Sequence, residues 1–142
     1  MRRFLLDTNV LSEFARRDGP DERVKSWLRE TARDLQFVSV ITIAEIERGI
    51  QLLNAGRRRS ELEAWLSNDI EVWFTGRVLP VTRPVAAEWA KLQAEYSRGG
   101  RTLAVLDSLI AATALVHDLE LVTRNVRHYK NLGVKIVNPW VP

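Results

Sequence analysis

The sequence contains no cysteine and only two histidines, His117 and His128. Disulfide bonds and zinc sites built from thiolates are therefore excluded, and a chain without disulfides is typical of the cytoplasm. The two histidines do not stand in the spacing of a metal-binding pair, and no serine–histidine–acid or cysteine–histidine set is evident for nucleophilic catalysis. We expect His117 to end a helix and His128 to lie on the surface.

Long hydrophobic runs are absent as well. No apolar stretch approaches the roughly 18 residues that a membrane-spanning helix needs. Arg2 and Arg3 precede only three apolar residues before Asp7, which is too short for the apolar region of a signal peptide. With 142 residues, 46% of them hydrophobic, the chain has the length and composition of one domain with its own core. We therefore expect a single cytoplasmic domain over residues 1–142, with no membrane association.

The chain also lacks a strong excess of charge of either sign, because its net charge is only +3. This mild basic balance is compatible with a polyanionic partner, but each arginine taken singly fits an ordinary solvated surface. The excess is partly local. It is concentrated in the run Arg57–Arg59 and in later loops that contain Arg98, Arg101, Arg124, Arg127 and Lys130.

Short, continuous apolar runs alternate with segments of helical spacing. The clearest runs are Phe4–Leu6, Leu35–Val40, Leu119–Val122 and Val134–Val137. Runs of this kind are typical of strands buried on both faces of a parallel sheet. Helical spacing covers Thr8–Arg17, Asp21–Ala32, Ile43–Leu53, Ser60–Phe74, Val85–Ser97 and Leu106–Val116. The alternation predicts an α/β fold with a parallel sheet, and residues 41–75 form a helical arm inserted between strands.

Asp7 stands directly after the first apolar run, at the predicted end of a strand. In open α/β sheets, ligands bind at the carboxyl ends of the strands, near the point where the strand order reverses, so Asp7 is a candidate site residue. Helix capping is an equally good interpretation, because an aspartate before Thr8 and Asn9 can accept backbone N–H bonds from the next helix.

Glu45 and Asp107 are the other acids in strongly apolar surroundings. Glu45 follows the second strand, where the pattern Thr42-x-x-Glu45 also fits a capping box. Taken alone, that pattern favours a structural role for Glu45. Asp107 lies within Leu103–Ala114, where burial of an unpaired carboxylate would cost several kcal/mol. A site role is therefore favoured for Asp107 over N-capping of a helix that starts near Ser108.

Thr123 and Asn125 end a further strand and could hold a water or a ligand, although an ordinary strand exit explains them better when they are taken alone. Jointly, Asp7, Glu45 and Asp107 could face one edge of the sheet. Carboxylates that converge repel one another unless a cation neutralises them. Oxygen ligands select a hard cation such as Mg²⁺ or Mn²⁺, which suits phosphodiester hydrolysis because it polarises the phosphoryl oxygen and activates a bound water.

Four motifs in order resemble those of PIN-domain ribonucleases of the VapC/FitB toxin type. They are Phe4–Glu13, Thr42–Gly49, Leu106–Ala114, and Leu121–Asn125 with the closing Val137–Trp140. The resemblance implies a three-layer α/β/α sandwich around a parallel sheet. It also implies the toxin of a type II toxin–antitoxin pair, a Mg²⁺-dependent endoribonuclease for which Mn²⁺ can substitute. The implied partners are a cognate antitoxin, an RNA substrate such as tRNA, and a second copy of the chain, with a larger assembly when the antitoxin is bound.

The resemblance further implies roles for single residues. The catalytic and metal-binding acids would be Asp7, Glu45 and Asp107, and the supporting residues would be Thr8, Asn9, Thr123 and Asn125. Many PIN domains carry a fourth acid where this chain has Asn125, which keeps an oxygen ligand but loses the charge. This departure favours one tightly held ion over a strict two-metal mechanism. We expect Arg101 and Arg124 to bind flanking RNA phosphates.

Aromatic residues near the arm suggest a docking region for the antitoxin that the resemblance implies. Trp65, Trp73 and Phe74 flank the inserted arm, where an apolar groove could take an amphipathic antitoxin segment. Taken alone, however, these aromatic residues fit a plain hydrophobic core better.

Three other functions remain open at this point. A haloacid-dehalogenase-like phosphatase also begins with a strand and an aspartate, but it needs a second aspartate where this chain has Asn9. A receiver domain needs a phosphorylatable aspartate after a middle strand, where the chain has Ser39–Ile41. The third alternative is a PIN-like module that binds RNA or protein without catalysis.

Overall fold

A computed structural model describes all residues, Met1–Pro142. Its centre is a sheet of five short parallel strands in the order β3-β2-β1-β4-β5. The strands are β1 (Phe4–Leu6), β2 (Gln36–Ser39), β3 (Val78–Leu79), β4 (Glu120–Val122) and β5 (Ile136–Val137). Four of them lie within the apolar runs of the sequence. The exception is β3, because two residues are too short to give a pattern.

Helices connect the strands in the order that the sequence predicts. They are α1 (Thr8–Glu13), α2 (Glu22–Glu30), α3 (Val40–Gln51), α4 (Arg57–Trp65), α5 (Glu71–Trp73), α6 (Arg83–Arg98) and α7 (Val105–His117). Two 3₁₀ turns, Arg33–Leu35 and Val126–Tyr129, precede β2 and follow β4. None of these helices is both long and apolar enough to cross a lipid bilayer.

The central strand β1 separates two hydrophobic cores. Phe4 and Leu6 pack on one side with α1, α2, α3 and the arm, whereas Leu5 packs on the other side with α6 and α7. This follows from the alternation of side chains along a strand. Helices therefore cover both faces of the parallel sheet, and the three-layer α/β/α sandwich is confirmed.

Residues 41–75, predicted as an arm of two helices, contain α3, then α4, a π-helical turn at Leu66–Ile70, and α5. The arm of the structure is the part after α3, residues 57–73. The arm is anchored to the sheet through Gln36, whose side-chain carbonyl accepts a 3.1 Å hydrogen bond from the indole N–H of Trp73. In the basic run at the start of α4, Arg57 pairs with Glu61 at 3.0 Å and Arg59 pairs with Glu63 at 3.1 Å. Each of these two arginines is therefore paired with an acid one helical turn further along α4.

The first helix is shorter than its apolar spacing predicts. It ends at Glu13 instead of Arg17, because Arg16 turns back to pair with Glu13 at 3.0 Å and with Asp18 at 2.9 Å. Glu13 also accepts a hydrogen bond from the backbone N–H of Asp21, which caps the next helix. This buried glutamate therefore fixes the turn between α1 and α2.

Candidate functional site

The site lies at the carboxyl ends of β1 and β4, which are neighbours in the sheet. Asp7 follows β1, and its backbone N–H donates to the carbonyl of Val122, the last residue of β4. From β1 the chain proceeds to β2 and β3 on one side and then returns to β4 on the other, so the strand order reverses here. Asp7 and Thr123 thus stand at the point where open α/β sheets place their ligands.

The carboxylate of Asp7 is buried, with only 4% of the residue exposed, and it accepts four hydrogen bonds. Oδ1 accepts from the backbone N–H of Thr8 at 2.8 Å, so Asp7 is the N-cap of α1. Oδ2 accepts from Thr123 at 2.8 Å, Tyr129 at 3.0 Å and Asn9 at 3.3 Å. The capping and site interpretations therefore hold together. Burial raises the pKa of Asp7, the donors partly offset this rise, and the charge of Asp107 adds to it.

Asn9 and Thr123 form a network that ties α1 to the loop after β4. The amide of Asn9 donates to the Thr123 hydroxyl at 3.1 Å, and its carbonyl accepts the backbone N–H of Arg124 at 3.1 Å. Asn125 joins through its backbone N–H, which donates to Thr123 at 3.0 Å, while the residue itself is exposed. The structure thus places the backbone of Asn125 in the network.

Asp107 stands in the first turn of α7, which begins at Val105 after Ala104. The helix does not start near Ser108, so the N-cap interpretation of Asp107 is wrong. Its Oδ1 lies 3.4 Å from the Tyr129 hydroxyl, and its Oδ2 lies 3.1 Å from Nδ1 of His128. The side chain of Asp107 is 26% exposed, so it stands at the mouth of the site, whereas Asp7 forms the floor.

Glu45 reaches the same region from α3. That helix begins at Val40, and its N-cap is Ser39, whose hydroxyl accepts the backbone N–H of Ile41 at 3.0 Å. Thr42 is therefore buried inside the helix, and the capping box is wrong. Instead, Oε1 of Glu45 accepts a 2.8 Å hydrogen bond from the Thr8 hydroxyl. Partial burial raises the pKa of Glu45, the hydrogen bond from Thr8 partly offsets this rise, and the charges of Asp7 and Asp107 add to it.

Negative charge is concentrated at the carboxyl ends of β1 and β4. Neither Asp7 nor Glu45 forms an ion pair, and Asp107 faces only His128, whose imidazole is charged when protonated. No group of three or more acidic or histidine side chains in the chain is arranged so that it could hold a metal ion by itself. The donor set still fits a hard cation, since Mg²⁺ in proteins keeps several waters and takes only one or two carboxylates.

Sequence reasoning missed two residues of this site, His128 and Tyr129. Both come from the 3₁₀ turn after β4, and both contact Asp107. His128 is 53% exposed, so its surface position is confirmed, but its ring faces the site. Tyr129 is only 1% exposed, and burial together with the two aspartates raises the pKa of its hydroxyl far above the usual value. The only feature of the sequence that indicated Tyr129 is its position four residues after the motif that ends at Asn125.

The two candidate RNA-binding arginines occupy different surroundings. Arg124 follows Thr123 directly, and its guanidinium lies 5.6 Å from the ring centroid of Trp140. Arg101 lies after α6, with its guanidinium 4.3 Å from the ring centroid of Tyr96. Only Arg124 is bonded to the network of the site, through its backbone N–H.

The fold and this arrangement of acids can be compared with known proteins. A family model of the PIN domain matches residues 4–133. The chain belongs to the PIN domain family. Among curated PIN relatives, it is 39% identical to Toxin FitB of Neisseria gonorrhoeae over 136 residues, which cover 96% of this chain and 97% of that protein. It is 33% identical to VapC ribonuclease Y4jK of Sinorhizobium fredii over 138 residues, which cover 97% of this chain and 98% of that protein.

The solved structures place this PIN domain in the same group. The crystal structure of FitAcB from Neisseria gonorrhoeae superposes with a TM-score of 0.89 at 38% identity, and the match covers 98% of this chain and 99% of that one. The resemblance to PIN domains of the VapC/FitB type is therefore confirmed over nearly the whole chain. Membership in this family removes the phosphatase and receiver alternatives.

Proposed function

We propose that this PIN domain is the toxin of a type II toxin–antitoxin pair and hydrolyses RNA phosphodiester bonds as a Mg²⁺-dependent endoribonuclease. The observation that carries the proposal is the meeting of Asp7, Asp107 and Glu45 at the strand ends, where Tyr129 links the first two acids and Thr8 links the first to the third. Relatives named Toxin FitB and VapC ribonuclease support it.

In this proposal Asp7, Asp107 and Glu45 hold the cation, directly or through water, and Mn²⁺ can replace Mg²⁺. When bound, such a cation polarises a phosphoryl oxygen and lowers the pKa of a water. The raised pKa values of Asp7 and Glu45 support this assignment, because each carboxylate is ionised at a cost that a nearby cation would relieve. The exposed amide of Asn125 brings no fourth charge, which favours one tightly held ion.

The remaining residues of the site have supporting roles. Thr8, Asn9 and Thr123 fix the rotamers of the acids through hydrogen bonds of 2.8 to 3.3 Å. Arg124 is positioned to bind an RNA phosphate beside the acids, since its backbone is bonded to Asn9. Arg101 contributes a second phosphate contact from outside the hydrogen-bond network of the site. The substrate of the proposed reaction is RNA, with tRNA among the candidates.

A groove beside the arm is the proposed binding site of the cognate antitoxin. An apolar pocket of about 320 Å³ lies between the arm and α1–α2 and is lined by Leu11, Phe14, Leu28, Trp65, Asp69, Ile70, Trp73 and Phe74. Phe74 is buried, but Trp65 and Trp73 are only half-buried and leave the pocket open. We propose that an amphipathic antitoxin segment fills it. Pairing of two copies, and a larger assembly with the antitoxin, remain predictions.

An RNA cleavage assay on the purified chain tests the activity. Total RNA and tRNA are incubated with Mg²⁺, Mn²⁺ or EDTA, and the parent is compared with Asp7→Asn and Asp107→Asn. The matched control is Asp118→Asn, because Asp118 precedes β4 and so lies at the amino end of that strand, whereas the site lies at its carboxyl end. Its φ of 54° is also one that asparagine adopts readily.

We expect discrete fragments that require metal, that disappear in both site variants and that persist in the control. A folded parent free of co-purified protein that cuts neither RNA pool under any condition would contradict the proposal and favour a PIN-like module without catalysis. An Asp7→Asn variant that cleaves as fast as the parent would contradict the assignment of the acids.

A further inference from the structure

The hydroxyl of Tyr129 lies between two of the acids. It is 3.0 Å from Oδ2 of Asp7 and 3.4 Å from Oδ1 of Asp107. The ring is buried in the hydrophobic core that also contains Leu5 and Ile110, on the α6–α7 side of the sheet. The ring of Tyr129 therefore packs in the apolar core, and its hydroxyl, the one polar atom of the side chain, contacts the acids of the site.

This polar atom has no other bonding partner. Burial of a hydroxyl without a hydrogen bond costs free energy, so phenylalanine would fill the same apolar space at lower cost. The only hydrogen-bond partners of the Tyr129 hydroxyl are Asp7 and Asp107, which share its single proton, and Asp7 is the closer acceptor at 3.0 Å. Its presence in this core is thus explained by the acids above it and not by packing.

The bond from Tyr129 also determines which oxygen of Asp7 is available. Oδ2 accepts short hydrogen bonds from Thr123 at 2.8 Å and from Tyr129 at 3.0 Å, which occupy its two lone pairs, and Asn9 is a longer contact at 3.3 Å. Oδ1 has a single donor, the backbone N–H of Thr8, and therefore keeps a lone pair. The donors hold the carboxylate so that one oxygen is occupied by the protein and the other is left for a ligand.

We propose that Tyr129 is a positioning residue that holds Asp7 and Asp107 as a pair and presents Oδ1 of Asp7 to the divalent cation. The proposal rests on the metal-binding part of the function proposed above. Tyr129 does not contact the cation itself. It acts through the carboxylates, as hydrogen-bonded partners of metal ligands do, and removal of such partners weakens metal affinity by about 10- to 100-fold.

The test measures Mn²⁺ affinity without RNA, by electron paramagnetic resonance of the free ion, for the parent, Tyr129→Phe and Tyr96→Phe. Tyr96 is the matched control because it is the only other tyrosine, and its hydroxyl donates to the carbonyl of Lys130, away from the acids. We expect Tyr129→Phe to bind Mn²⁺ about 10- to 100-fold more weakly than the parent, and Tyr96→Phe to bind as the parent does.

A second measurement uses the parent alone and so does not depend on how the variant folds. With ¹³C at the tyrosine Cζ position, Mg²⁺ is expected to shift the resonance of Tyr129 and to leave that of Tyr96 in place. Parent-like Mn²⁺ affinity in a folded Tyr129→Phe variant, or an unmoved Tyr129 resonance at saturating Mg²⁺, would overturn the inference.

The outcomes separate the two proposals. A parent that cleaves RNA while Tyr129→Phe binds Mn²⁺ normally contradicts only the role of Tyr129. A parent whose Mn²⁺ affinity falls in Tyr129→Phe, but which cuts no RNA, contradicts only the nuclease activity. A parent that binds no divalent cation contradicts both.

Discussion

The hydroxyl of Thr8 donates a 2.8 Å hydrogen bond to Oε1 of Glu45. This bond joins the helix after the first strand to the helix after the second, and the backbone N–H of Thr8 simultaneously holds Asp7 at 2.8 Å. Thr8 therefore orients both Asp7 and Glu45, which are 38 positions apart in the sequence. Position 8 accordingly needs a hydroxyl in addition to a backbone donor.

Replacement of Thr8 by valine is expected to lower RNA cleavage about tenfold, because Glu45 loses its anchor while the helix cap by Asp7 remains. The free energy of unfolding should fall by only about 1 kcal/mol, the usual worth of one hydrogen bond. Rates of cleavage at saturating Mg²⁺ and urea unfolding measure the two effects. Thr8→Ser, which keeps the hydroxyl, should retain activity. Equal activity in the valine and serine variants would show that the bond has no role.

The pH dependence of stability has a defined sign in this protein. The pKa values of Asp7 and Glu45 are raised in the folded state, mainly by burial. A carboxyl with a raised pKa contributes most to stability below its unfolded pKa, and that contribution is lost as the pH rises through its folded pKa. We therefore expect the free energy of unfolding in EDTA to decrease above about pH 4 because of these two groups. Urea unfolding across pH 4 to 8 measures it, and saturating Mg²⁺ should reduce the decrease.

The variant Glu45→Gln isolates one part of this effect. It keeps an oxygen for Thr8 but removes the negative charge that Asp7 and Asp107 oppose. In EDTA at pH 7 we expect a small rise of the melting temperature, of up to about 3 °C, since Glu45 is partly exposed and solvent screens its charge. Mg²⁺ should stabilise the variant less than the parent. A melting temperature below that of the parent in EDTA would contradict the repulsion among the acids.

Gln36 connects the arm to the sheet and can be tested separately from the acids. Its buried amide accepts from the Trp73 indole and donates to the carbonyls of Leu28 and Thr31. Gln36→Leu leaves these partners without hydrogen bonds, so the free energy of unfolding should fall by about 2–4 kcal/mol. Trp73 lines the apolar pocket, and binding of an antitoxin peptide should weaken as well. Cleavage per folded molecule should not change, and a loss of cleavage in the folded fraction would show that the arm also shapes the nuclease site.

Arg124 and Arg101 make different predictions for RNA binding. Arg124→Ala should raise KM with little change in kcat and should reduce the slope of log affinity against log salt by about 1, as expected for one lost phosphate contact. Arg101→Ala should have a smaller effect, because Arg101 lies over Tyr96 and has no bond to the site network. Cleavage kinetics at several salt concentrations compare the two variants. A larger effect from Arg101 would place the RNA path along the α6 side.

The acids of the site could be predicted because strand ends are local features. Asp7 ends an apolar run, and this alone predicts that it lies at the end of a strand. Glu45 was harder, since Thr42-x-x-Glu45 satisfies a local capping rule. The structure uses Ser39 as the cap instead, and α3 therefore begins two residues before Thr42. Glu45 therefore does not cap its own helix, and its carboxylate accepts the hydrogen bond from Thr8 instead.

Tyr129 and His128 could not be predicted for a related reason. They stand in a short 3₁₀ turn without periodicity, and the path of that turn is set by contacts with α7 that are distant in sequence. The strand β3 was missed because two residues carry too little pattern. Sequence reasoning is strongest here for regular elements and their ends, and weakest for side chains delivered by loops.

The π-helical turn at Leu66–Ile70 also determines how the arm responds to a change in the number of its residues. A π turn holds one residue more than an α-helical turn, so the helix that follows keeps the angular phase that it would have without the extra residue. Deletion of one exposed residue of this turn, Ser67 or Asn68, would therefore restore ordinary winding and leave Trp73 and Phe74 facing the pocket they line, whereas deletion of a residue from the α-helical part of the arm would rotate them by about 100°. Substitutions at the same positions leave that phase intact. Within the arm, the π turn is therefore a segment where the chain can lose one exposed residue without changing which side chains face the pocket.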